Sequence, residues 1–306
     1  MRVYAGLIAD SSRWHSFVPR ADDVIITTPS KCGTTWTQVL VGSLLLGRSD
    51  FGQVSEVSLW YDACLRSPED AAAIVAGQDH RRFLKTHSPL DGIPRFDDVT
   101  FICVVRHPLD VALSRFDHRG TQDHERTEAI RMAADDSPWL APTRHKQPTE
   151  PGDFVRWWVD NDRPHLGAGA LGFADYCNQA NSYWEARHDD NVHLFHYSHM
   201  WNDLPGQVRR LARILDVEVD DGRVAEIVEG ASLDSMRGRS KEIAPEAHLG
   251  IWKSTDAFFS HGGTRNWREL LTDADLEHFH KRLDQLAPEA APWILGQLDP
   301  STSITG

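Results

Sequence analysis

The chain has 306 residues, 41% of them hydrophobic and 25% charged, enough to bury the core of a full α/β domain. Its net charge of −13 argues against nonspecific binding to nucleic acid or an anionic membrane, because the long-range field repels both. No stretch reaches the roughly 20 apolar residues of a membrane span, and "MRVYAGLIADSSRWHSF" at the start has no signal-like apolar run, so the expected location is the cytoplasm.

The first predicted element is a strand over Val24–Thr28, a β-branched run that breaks at Pro29. A helix is predicted from Thr34 to Leu46. The connection "PSKCG" would aim the backbone N–H groups of Cys32, Gly33, Thr34 and Thr35 at the positive end of that helix, with the Lys31 ammonium added. Such an arrangement is an anion cradle. It departs from the nucleotide-binding pattern GxxxxGK[ST], because the lysine precedes the glycine. The plainer alternative is an ordinary turn capped by Thr34.

A second strand, Arg82–Lys85, leads to His87, which would project over the same sheet edge and is a usable general base near neutrality. The third strand, Val99–Val105, ends in Arg106 and passes into a helix over Pro108–His118, proline being favoured at the first helical position. A guanidinium there attracts an anion where a carboxylate would hold a metal. Ser114, about two turns up the helix from Pro108, can lie beside the same ligand. The alternative is a surface pairing of Arg106 with Asp110.

Further on, helices are predicted over Asp153–Val159, Ala174–Arg187, Leu204–Leu215, Arg223–Val228 and Asp273–Leu286, with a fourth strand at Val192–Tyr197. The stretches Asp117–Gly152 and Lys241–Phe259 read as long and irregular, and are candidates for binding loops. Trp139, Trp252, Phe258 and Phe259 either line an acceptor pocket there or are plain core aromatics. His193, His196 and His199 alternate across a strand, and the four cysteines lack CxxC spacing, so no metal site and no disulfide framework are expected. With no repeat or dividing linker, residues 1–306 read as one domain. Its expected form is a mainly parallel sheet flanked by helices, similar to the P-loop NTPases, with ligands at the carboxyl ends of the strands.

The blocks "TTPSKCGTTW", "FLKTHSPL", "VVRHPLDVALS", "HLFHYSHM", "ASLDSMRGRS" and "FFSHGGTRNW", in that order, resemble the signature blocks of the PAPS-dependent cytosolic-type sulfotransferases. Within that family the chain looks most like bacterial, particularly actinobacterial, members that act on glycolipid-type acceptors. The resemblance implies transfer of a sulfuryl group from 3′-phosphoadenosine 5′-phosphosulfate (PAPS) to a hydroxyl of a small-molecule or lipid acceptor, releasing 3′-phosphoadenosine 5′-phosphate (PAP), without a metal. It implies that His87 is the catalytic base and that Lys31 contacts the bridging and sulfuryl oxygens. Cys32, Gly33, Thr34 and Thr35 fall in the 5′-phosphate loop, Trp36 on the adenine, Arg106 and Ser114 on the 3′-phosphate. Tyr197, Ser232 and Leu233 fall in blocks that close over the adenosine.

The sequence departs from the family at Ser260, His261 and Gly262, where a basic pair commonly precedes the glycine. Loss of one charge-assisted contact there would cost about 1.5–3 kcal/mol of cofactor affinity unless Arg265, Arg237 or Arg239 compensates. Cys32 stands where serine or glycine is usual, and beside a helix N-terminus and Lys31 its thiol pKa is expected to fall. A catalytically altered nucleotide-binding homologue, or a nucleotide kinase of related fold, is the competing reading; the kinase lacks its lysine after the glycine and its metal carboxylate.

Overall fold

The computed structural model describes residues 1–6, 8–134, 147–162, 172–259 and 262–300. Four short strands, β1 (Val24–Thr27), β2 (Phe83–Thr86), β3 (Thr100–Val105) and β4 (Val192–His196), form one sheet in the order β2-β1-β3-β4. All pairings are parallel, with Val24 opposite both Phe83 and Thr100, and Phe101 opposite Val192.

The strands are continuous apolar runs because both faces of the sheet are covered. Side chains alternate at period two, and the two core layers follow that alternation. Val24, Ile26, Phe83, Ile102 and Val104 pack with Val39, Leu40, Val208, Leu211 and Ile227 on one face. Ile25, Leu84, Phe101, Cys103 and Val105 pack with Leu109, Leu113, Trp158, Tyr176 and Trp293 on the other. Full burial of one such aliphatic or aromatic side chain is worth about 1.5–3 kcal/mol relative to leaving it in water.

The helices come close to their expected places: Thr34–Leu45, Pro108–His118, Pro151–Val159, Phe173–Glu185, Leu204–Ile214, Asp221–Gly230 and Asp273–Leu286. Pro108 is indeed the first residue of its helix, and the His107 ring accepts from the Leu109 N–H at 3.3 Å. The stretch 117–152, read from sequence as irregular, contains a helix over His124–Ala134. Asp123 starts it by accepting from the Arg126 N–H at 2.9 Å; its polar, charge-rich surface, with only Arg131 buried, hid its period. The stretch 241–259 carries only short helical turns.

β1 lies between β2 and β3, so the chain leaves its carboxyl end at the point where the strand order reverses. Ligands of open parallel sheets sit outside such a reversal. No described helix is long and apolar enough to cross a membrane.

Candidate functional site

The loop after β1 is held open by two residues in left-handed backbone, Lys31 (φ 71°) and Gly33 (φ 95°). A non-glycine residue in that region costs about 1–3 kcal/mol and survives where the surroundings impose it. Gly33 is required for a second reason: a Cβ there would stand 2.9 Å from the Tyr197 ring. The Thr34–Leu45 helix begins at Gly33 with no side chain capping it, so its first-turn N–H groups are left for a ligand. The cradle is one donor smaller than the sequence suggested, because the Cys32 N–H is bonded to the Pro29 carbonyl at 3.2 Å.

Lys31 is half-buried, with its ammonium 4.5 Å over the Phe258 ring and 3.2 Å from Nδ1 of His118. Burial, and then the charges of Arg106 and Arg115, pull it down to about 7. It lines a groove with Ser114, Asp117, His118, Phe258 and Arg265. So many cations in one place repel each other until an anion arrives.

Arg106 is buried at the end of β3. It does not pair with Asp110 on the surface; Asp110 accepts instead from the Arg265 N–H at 2.8 Å. The Arg106 guanidinium donates to the Gly263 carbonyl at 2.6 Å and weakly to that of Lys31 at 3.4 Å, and lies 4.5 Å over the Tyr197 ring. Its Nε has no partner among the described residues, so the guanidinium keeps a donor in reserve.

The Tyr197 ring beneath it is one of three grouped aromatics. Trp36 is anchored by Nε1 to the Ala231 carbonyl at 3.0 Å and faces Tyr197 and Trp201 at 5.2 and 6.0 Å. Trp201, 46% exposed, escaped the sequence analysis; an exposed tryptophan beside a second tryptophan and a tyrosine is a stacking surface. Gly262 is needed here because a Cβ would fall 2.7 Å from that indole, and Leu233 lies against the same spot. Ser232 uses its hydroxyl to cap the Leu233–Gly238 helix, accepting from Ser235 N–H at 3.2 Å. Ser260, His261 and Trp139 lie outside the described residues.

Of the three arginines that might stand in at the altered loop, only Arg265 lines the Lys31 groove, held by Asp117 at 2.6 Å. Arg237 reaches the Phe259 carbonyl, and Arg239 is bonded to the carbonyls of Ser49 and Gly230.

His87 is buried over the sheet edge. Its Nδ1 lies 2.7 Å from the Thr28 carbonyl, which can only accept, so Nδ1 carries the proton and Nε2 keeps its lone pair. Burial and the neighbouring Lys85 charge hold His87 down at about 3, neutral throughout the physiological range. Lys85 was also not singled out from sequence; it is buried, with Nζ 4.7 Å over the Trp60 ring.

One further expectation changes and one open alternative narrows. Cys32 is fully buried, and burial pushes its thiol up to about 12; desolvation outweighs the helix end and the cations that would lower it, and the thiol is inert. Of the acceptor-pocket aromatics, Phe259 belongs to the core, while Trp252 and Phe258 flank His118 at 5.0 and 5.4 Å. His196 and His199 hold the C-terminal segment through the Ile294 and Gly296 carbonyls.

Comparison with known proteins adds family evidence to this geometry. The family model described as "Sulfotransferase domain" matches residues 21–290. The chain is 38% identical over 300 residues to a glycolipid sulfotransferase of Mycobacterium bovis, covering 94% of this chain and 91% of the relative. It is 20% identical over 279 residues to sulfotransferase 1 family member D1 of Rattus norvegicus, covering 88% and 85%. Retinol dehydratase, solved with retinol and PAP, superimposes with a TM-score of 0.68 at 19% identity, over 90% of this chain and 84% of that one. A mouse sulfotransferase complexed with PAP gives 0.66 at 16% identity, over 96% and 98%. At those identities the two structures speak for the fold.

Proposed function

The chain belongs to the sulfotransferase domain family, and on that footing we propose that it acts as one cytoplasmic domain moving a sulfuryl group from PAPS to a hydroxyl of a glycolipid-type acceptor. The observation that carries this reading is Lys31, set in left-handed backbone before an uncapped helix end with Arg106 behind it. The residues present fit the donor: free N–H groups for the 5′-phosphate, Arg106 and Ser114 for the 3′-phosphate, and Trp36, Tyr197 and Trp201 beside the adenine. PAPS supplies the activated sulfuryl group.

Nε2 of His87 takes the proton of the acceptor hydroxyl as the new oxygen–sulfur bond forms. The sulfur–oxygen bond to the 5′-phosphate breaks, and the Lys31 ammonium neutralises charge gathering on the departing oxygen. Arg106 and Arg265 hold the remaining negative charge in place. The donor's charge also raises the pKa of both Lys31 and His87, making the one a full cation and the other a better base.

Binding and protonation are therefore linked. Lys31 titrates at about 7 in the free site and higher beside an anion. Affinity for PAP is then full below pH 7 and falls by up to about tenfold per unit as pH rises from 7 toward the bound pKa. Calorimetry with PAP at pH 8, in two buffers of different ionisation heat, should show proton uptake. No proton exchange, together with binding of ATP·Mg²⁺ as tight as that of PAP, would overturn the reading.

A further inference from the structure

Apart from the groove that holds Lys31, polar groups gather near Lys85, whose neighbour Trp60 also meets His87. Trp60 meets the His87 ring edge-on at 5.0 Å and lies under the Lys85 ammonium. The indole is 7% exposed, yet its N–H has no acceptor among the described residues. Arg66 shares that condition: Nη2 donates to Glu246 Oε2 at 2.7 Å, while Nη1 is buried without a partner. Glu246 is 2% exposed and sits in left-handed backbone at φ 53°. Trp252 donates through Nε1 to the Pro245 carbonyl at 2.6 Å and packs against the cluster that contains Trp60 and Leu65, which brings Glu246 and Arg66, the next residues in the chain after Pro245 and Leu65, alongside that cluster.

Buried donors without acceptors are rare in folded proteins and call for an explanation. Here one of them, on Trp60, belongs to the ring that meets His87, and the other, with its carboxylate, stands by the apolar cluster that holds Trp60. Taking the proposed reaction as given, we infer that Trp60, Arg66 and Glu246 form the subsite that reads the hydroxyls of a sugar on the acceptor. A sugar hydroxyl both donates and accepts, so it satisfies an indole N–H or a guanidinium and binds a carboxylate in return. An acceptor with a single hydroxyl spends that group on His87 and leaves the two donors orphaned. The side chains of Ile8, Ile130, Leu249 and Trp252, which are partly buried against the cluster that contains Trp60, provide a surface for the sugar's apolar substituent.

Hexyl β-glucoside and 1-hexanol share a chain and differ by the sugar, so the ratio of their kcat/KM values isolates the subsite. Wild type should favour the glucoside. Glu246→Gln and Trp60→Phe should each lower that ratio about tenfold, since a hydrogen bond to a charged or buried group is worth a factor of that order. Glu246→Gln leaves Arg66 uncompensated and can cost stability. Trp60→Phe removes a donor that bonds nothing among the described residues, and keeps the test open if the first variant misfolds. An unchanged ratio in a folded Trp60→Phe would overturn the inference. A calorimetric titration of the PAP-loaded protein with hexyl β-glucoside separates this from the reaction itself. Weaker binding by the variants supports the subsite even without turnover, binding equal to wild type sinks it, and failure of PAP to bind is a failure of the proposed function instead.

Discussion

Lys31→Ala is expected to lower kcat about 10²–10³-fold, the usual effect of deleting one donor aimed at charge that develops in the transition state. The ammonium sits among Arg106 and Arg115, and both of those charges push its pKa down, so removing it relieves repulsion in the free protein. Its polar contact there is with the ring of His118, and no strand or helix depends on it. The thermal midpoint should therefore stay within a few degrees of wild type. Affinity for PAP should fall less than kcat, because PAP carries the phosphate but lacks the transferring group. Equal losses in kcat and in PAP affinity would mean that Lys31 merely holds the nucleotide.

His87→Ala should lower kcat about 10²–10⁴-fold, the range for a positioned general base, while PAP binds as to wild type. The cost to folding is limited: the Thr28 carbonyl loses the hydrogen bond it accepts from Nδ1, worth about 1–3 kcal/mol if left unsatisfied. His87→Asn is a useful companion, since a side-chain amide can bond Thr28 but cannot take a proton. Recovery of stability without recovery of rate would separate the two roles. Because burial holds the free imidazole at about 3, His87 stays neutral down to well below pH 6.5. The profile of kcat/KM, which reports the free enzyme, should not show the acid limb of an ordinary histidine there. A His87→Ala variant with near-wild-type rate at pH 7 would remove it from the mechanism.

Much of this site was legible in the sequence because its parts are local. A β-branched run ending at Pro29, a lysine and glycine before a helix, and Arg106 followed by Pro108 each announce a turn at the end of a strand. Parallel pairing then brings those turns to one edge of the sheet. What the sequence did not disclose depends on contacts between distant segments. Trp201 and Lys85, and the choice of Arg265 over Arg237 and Arg239, acquire their meaning from Trp36, Trp60 and Asp117, far away in the chain. Cys32 shows the same limit from the other direction, since its neighbours in sequence argue for a reactive thiol while the core around it forbids one. The helix His124–Ala134 was missed because one buried residue leaves no apolar stripe to read.

The most direct test is transfer itself. With ³⁵S-labelled PAPS, hexyl β-glucoside and a chelator such as EDTA, the protein should move label into the glucoside and release PAP. Label that remains on PAPS, or transfer that appears only after Mg²⁺ is added, would contradict the role given to Lys31 and its neighbours.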